Sequence, residues 1–171
     1  NNLNRGWVRV FSYLLGQQSK TIGLLFMPLW GLEGDAVISE TSMSSFGRGL
    51  QPSFSMHYRA LGDKILERRS TDKWFSGSFR EYVPDHYQLG YQITAYANTK
   101  YDENIWDKIV RYAVRNPYVI ATTYVGMKKY YSTSTTELFR ETFADLNNYW
   151  RPLSEVDDSS TRIPAPKQRS Y

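Results

Sequence analysis

Apolar residues recur along most of the chain at the three- and four-residue spacing of an amphipathic α-helix. This spacing predicts a mainly α fold. We expect helices over residues 7–15, 29–42, 53–61, 85–96, 102–113, 117–129 and 134–150. Residues 62–84 are polar with scattered aromatics and show no helical period, so they are expected to form a long irregular connection.

Several of these helices carry sequence signals for their first turn. Ser134 and Glu137 are spaced as in a capping box, in which each side chain bonds the other residue's backbone N–H. Asp85, followed three residues later by Gln88, resembles the same pattern. Asp102 is expected to cap the next helix.

Composition indicates one globular domain with a tail. The 171 residues are 41% hydrophobic and 22% charged, which is ordinary for a folded domain. We expect the domain to cover residues 1–151. Residues 152–171 are rich in Pro, Ser and Asp and read as a linker toward a following domain.

Charge and residue usage exclude several classes of function. The net charge of +4 is spread evenly over the chain, and no basic cluster is long enough to follow a phosphate backbone, so we expect no nucleic-acid partner. No apolar run reaches the roughly 20 residues of a membrane-spanning helix. The chain has no cysteine, which excludes thiolate metal ligands and a cysteine nucleophile.

One acidic residue stands out in the helix predicted over residues 29–42. Glu33 lies among the apolar positions of that helix, where a carboxylate needs a hydrogen bond, a charge partner or a metal ion. Gly34 follows directly, and a glycine there allows another segment to approach closely. Glu40 lies two turns further on, on nearly the same side of the helix.

These residues resemble the second metal motif of gluzincin zinc metallopeptidases, a group that includes aminopeptidase-N-like and peptidase-MA-like proteins. The resemblance covers roughly residues 28–96. It is carried by Trp30-x-x-Glu33-Gly34-x-Ala36, by Gly47-Arg48-Gly49 with Pro52 and Phe54, and by Tyr87-x-x-Gly90-Tyr91. The middle pattern is similar to that of bacterial peptidase-MA-like domains placed before β-propeller-type repeats.

The resemblance implies the helical C-terminal lobe of a metallopeptidase domain. In that family the glutamate of the motif is the third protein ligand of a zinc ion, beside two histidines of an upstream His-Glu-x-x-His helix. Glu33 is therefore the expected metal ligand. Neither His57 nor His86 lies in such a pattern, so we expect the histidine helix upstream of Asn1 and an inactive isolated fragment; the alternative is a degenerate relative that binds no metal.

The resemblance also suggests roles for three further residues. Tyr91 is a candidate phenol donor to the oxyanion, and Glu40 a carboxylate that orients a ligand histidine. Arg48 is expected either to bind a substrate carboxylate or to anchor its own loop. For Glu33, the residues alone leave open an ordinary helix carboxylate, exposed or paired with Arg48 or Arg59.

The resemblance implies two partners, a peptide or protein substrate and a following domain such as a β-propeller, and a location in the bacterial periplasm or cell envelope. A non-catalytic helical docking module is the main alternative, because 16% of the residues are aromatic and suit a contact surface. A glycan-binding module is the third hypothesis.

Overall fold

A computed structural model of the chain describes residues 27–67, 71–78, 80, 82–116, 118–119 and 121–154. Within these ranges the chain forms α-helices and one 3-10 turn, Arg48–Leu50, and no strand. The mainly α fold is thereby confirmed. The helices are α1 Leu29–Met43, α2 Pro52–Leu61, α3 Lys64–Glu67, α4 Asp72–Ser76, α5 His86–Tyr101, α6 Ile105–Arg115, α7 Thr122–Tyr131 and α8 Thr135–Ser154.

Helix α5 lies at the centre of the fold. It packs along α1 and also contacts α4, α6 and α8, while α7 packs against α6. Its Leu89, Ile93 and Ala97 are fully buried, as the four-residue spacing of a core-facing stripe requires. The core around this stripe is strongly aromatic and includes Trp30, Tyr58, Trp74, Trp106, Phe139 and Phe143.

Two glycines let α1 and α5 meet backbone to backbone. A Cβ added at Gly34 would lie 2.8 Å from the Cα of Gly90, and one added at Gly90 would lie 3.0 Å from the nitrogen of Gly34. The carbonyl oxygen of Trp30 is closer still to the position of a Gly90 Cβ. The sequence-based expectation that Gly34 permits a close approach is correct, and Gly90 is its partner.

Trp106 of α6 completes the packing around α1. Its six-membered ring lies over Gly31, so that a Cβ there would overlap the ring. The same side chain meets Trp30 edge to face at 5.3 Å and donates its indole N–H to Thr94 Oγ1 over 3.3 Å. The buried indole is therefore both packed and hydrogen-bonded, as a tryptophan in a core requires.

The predicted helix starts are partly right. The capping box is present in both directions, with Ser134 N donating to Glu137 at 2.7 Å and Glu137 N donating to Ser134 Oγ at 3.2 Å. Asp85 accepts from the Tyr87 backbone N–H at 3.2 Å. Asp102 does not cap α6: it ends α5 in a left-handed conformation with φ 52°, and Asn104 accepts from the N–H of Trp106 instead.

The connection predicted over residues 62–84 is not irregular throughout. It contains α3 and α4, which place Ile65 and Trp74 in the core. Each helix contributes a single fully buried apolar residue, which is too few to show a period in the sequence. The helix expected over residues 7–15, and nearly all of the tail expected from residue 152, lie outside the described residues; α8 itself continues through Pro152 to Ser154.

No helix in the described ranges combines the length and the apolar character that crossing a membrane requires.

We predict that Gly90→Ala destabilises the fold by about 3 kcal/mol, the upper end of what overpacking usually costs, because the methyl group meets backbone that cannot rotate away. Gly126→Ala is the matched control. A Cβ there would come no nearer than 3.3 Å to Ile109, and the ~1 kcal/mol gain in helix propensity offsets that tight contact. The measurement is the free energy of unfolding in urea; equal values for the two variants would contradict the proposed backbone contact.

Candidate functional site

Glu33 is half-buried on α1, directly before the glycine contact. The phenol of Tyr87, in the first turn of α5, interacts with this carboxylate. The hydrogen-bonding interaction with Glu33, together with the negative charge of Glu33, raises the pKa of Tyr87. No Lys or Arg in the described ranges forms an ion pair with Glu33. The nearest group that acts on this carboxylate is thus the Tyr87 phenol, and the charge of Arg48 attracts it without an ion pair.

Arg48 lies on the outer side of Tyr87. Its guanidinium carbon is 5.7 Å from the centre of the Tyr87 ring, within cation–π range. Its Nε and Nη2 atoms lie 2.8 and 2.6 Å from one oxygen of Glu40. The hydrogen bond from Arg48 holds the pKa of Glu40 below its ordinary value. Arg48 is therefore anchored by the carboxylate of Glu40.

The loop that carries Arg48 is fixed to the end of α1. Thr41 donates its hydroxyl to the carbonyl of Val37 at 2.6 Å and accepts the backbone N–H of Gly49 at 3.1 Å. Gly47 lies against the backbone of the same threonine, where a Cβ would meet its nitrogen at 2.9 Å. Gly47 thus lets the loop press against α1, Gly49 leaves room for the ring of Tyr91, and the loop brings Arg48 back to Glu40.

Tyr91 lies one helical turn beyond Tyr87 and has different surroundings. Its ring packs on Gly49 and meets Phe54 edge to face at 5.7 Å. Partial burial raises the pKa of its hydroxyl. Of the two tyrosines in the Tyr87-x-x-Gly90-Tyr91 motif, Tyr87 is the one that interacts with Glu33.

The sequence analysis did not pair Tyr87 with Glu33, because that pairing depends on which two glycines touch. Tyr87 precedes Gly90 by three residues on α5, and Glu33 directly precedes Gly34 on α1. Because the two glycines touch, the side chains of Glu33 and Tyr87 lie beside the same contact. Neither glycine reveals its partner in the sequence alone, so the pairing could not be read there.

Each of the two histidines has a local partner other than Glu33. His57 Nδ1 is 2.8 Å from the hydroxyl of Tyr82. His86 Nδ1 is 3.1 Å from Asp85, and its ring packs against Tyr87 at 4.9 Å. Across the described ranges no group of three His, Cys, Asp or Glu side chains could hold a metal ion. Any metal bound through Glu33 would therefore need donors from elsewhere.

No family model, curated protein or solved structure matches the chain.

We predict that Glu33→Gln lowers the pKa of Tyr87, because removing the negative charge makes the phenolate less unfavourable. The measurement is a pH titration of the Tyr87 ring followed by carbon NMR. Tyr91 is an internal control, because its pKa is raised by burial and should stay in place. An unchanged Tyr87 titration would contradict the contact with Glu33.

Proposed function

We propose that this chain supplies the glutamate ligand of a zinc ion in a metallopeptidase-like domain, and that Glu33 is that ligand. The observation that carries the proposal is the setting of Glu33. It is half-buried beside the Gly34–Gly90 helix contact, lies within interaction range of the Tyr87 phenol, and forms no ion pair with a described Lys or Arg. In this proposal, one carboxylate oxygen of Glu33 binds the zinc ion.

The donor set of the chain fits one position of a zinc site. A catalytic zinc of this class has two imidazoles and one carboxylate as protein ligands. Since no three-ligand group lies in the described ranges, the two histidines would come from a His-Glu-x-x-His helix outside the 171 residues. Bound zinc would acidify a water molecule for attack on a peptide bond. The 171-residue chain alone would then be inactive.

The neighbouring residues take supporting roles in this proposal. Tyr87 holds one oxygen of Glu33, and the Arg48–Glu40 pair braces Tyr87 from outside. Tyr91, on the next turn of α5, stays the proposed donor to an oxyanion. The substrate would be a peptide or protein, and the resemblance favours the bacterial periplasm or cell envelope with a β-propeller following.

A specific observation favours a second candidate, a non-catalytic docking module. Met43 and Phe46 are 84% and 85% exposed, and nearby Leu50 is 60% exposed. These three large apolar side chains lie within eight residues of one another along the chain, and exposed apolar side chains in one segment are typical of a surface that contacts another protein or another part of the same protein. Such a module would need no zinc.

We predict that a longer polypeptide, extended upstream of Asn1 to include the histidine helix, binds about one zinc ion per chain, as a single site with three protein ligands requires. Glu33→Ala should weaken that binding by more than the ~10–100-fold that loss of an outer partner of a ligand costs. Asp35→Ala is the matched control, since Asp35 lies on the same helix but bonds Asn104 Nδ2 at 2.9 Å. The measurement is a competition titration with a zinc-binding dye.

If the chain is a docking module, Glu33→Ala should leave zinc binding unchanged in the same titration. A gene that encodes no histidine pair upstream, or equal zinc affinity in the Glu33→Ala and Asp35→Ala variants, would overturn the ligand role.

A further inference from the structure

An apolar groove of about 620 Å³ lies between α2 and α8, away from Glu33. One wall is the outer stripe of α2 and the other is the last part of α8. Its lining includes Pro52, Met56, Ala60 and Trp150. The Arg151–Asp63 ion pair, at 3.3 Å, closes one end. A groove of this kind can hold an extended peptide segment.

The groove presents two groups that lack partners in the described part of the chain. Trp150 is half-buried, and no described residue accepts its indole N–H. Arg59 is exposed and has no ion pair with a described carboxylate. Met56 between them is 55% exposed. An occupant with apolar side chains, carbonyl oxygens and negative charge would complement all three.

The sequence that follows α8 has this chemistry. It begins with three carboxylates, Glu155, Asp157 and Asp158, and continues to Ile163-Pro164-Ala165-Pro166. Proline-rich segments bind aromatic-lined grooves because their extended conformation is already formed before binding. An indole N–H in such a groove can donate to a backbone carbonyl of the segment.

The dimensions also agree. Four residues of a polyproline helix span ~12 Å, and the α2 wall from Pro52 to Arg59 spans ~10 Å at the helical rise per residue. The chain leaves α8 at Ser154, one turn beyond Trp150. Fully extended, residues 155–162 span ~27 Å. This length is sufficient for the chain to turn back along the groove.

We propose that the α2–α8 groove binds the chain's own residues 155–166. The Ile-Pro-Ala-Pro segment lies against Trp150 and Met56, and the acidic residues lie beside Arg59. Because the segment is tethered, its effective concentration at the groove is in the millimolar range, so a weak contact suffices. Residues after Pro166 remain outside the groove.

The absence of cysteine makes a direct test possible in the full 171-residue chain. Gln168→Cys introduces a single thiol, two residues beyond the proline segment, for a nitroxide spin label. The unpaired electron of the label broadens the NMR signals of nearby nuclei. We therefore expect the signals of the Met56 methyl group, the Ala60 amide and the Trp150 indole to be lost. Met56 and Ala60 are far from residue 168 in sequence. Signals of α6 and α7 should keep their intensity and serve as the reference.

Two further samples separate this occupant from others. Replacing Pro164 and Pro166 by glycine in the labelled chain should restore the Met56 and Ala60 signals, because the preformed extended conformation is lost. Signal loss that persists in the glycine variant, or that is absent in the original labelled chain, overturns the proposal. The second sample is an isotope-labelled chain without nitroxide, mixed with a spin-labelled chain. Loss of its Met56 and Ala60 signals would place a second copy of the chain in the groove and would also overturn the proposal.

Discussion

The structure depends on the backbone contact between Gly34 of α1 and Gly90 of α5. Neither residue has a Cβ, so the two helices approach more closely than side chains would permit. A contact of this kind fixes where the helices cross along both axes, because any shift would bring a larger residue into the contact. The long central helix is thereby held against the helix that carries the unusual carboxylate, and Trp106 fills the space beside Gly31.

The chemistry of the candidate site follows from that crossing. Glu33 precedes one glycine and Tyr87 lies a turn before the other, so a carboxylate and a phenol face each other at the edge of the contact. The nearby cation, Arg48, is paired with Glu40 and not with Glu33. Two acidic residues of one helix thus have different surroundings: Glu40 pairs with an arginine, whereas Glu33 has the Tyr87 phenol beside it and no ion pair with a described Lys or Arg.

The sequence predicts the parts of this fold that rest on local physics. The mainly α fold and the Ser134–Glu137 capping box follow from periodicity and from short-range hydrogen bonding. Features that depend on distant partners were missed. Trp74 is buried because other helices cover it, and Asp102 lost the cap position to Asn104 through the turn that ends α5. Likewise, two glycines in separate helices do not reveal that they touch, so Tyr87 could not be paired with Glu33.

The most direct test of the central claim is a crystal structure of the longer polypeptide with zinc, using anomalous scattering to locate the metal. The account predicts a zinc peak ~2.0–2.2 Å from one carboxylate oxygen of Glu33, the distance of a direct zinc–carboxylate bond. The other oxygen should accept the hydrogen bond of Tyr87, with Gly34 and Gly90 in contact beneath. A zinc ion bound elsewhere, or a Glu33 side chain turned into solvent, would contradict the account.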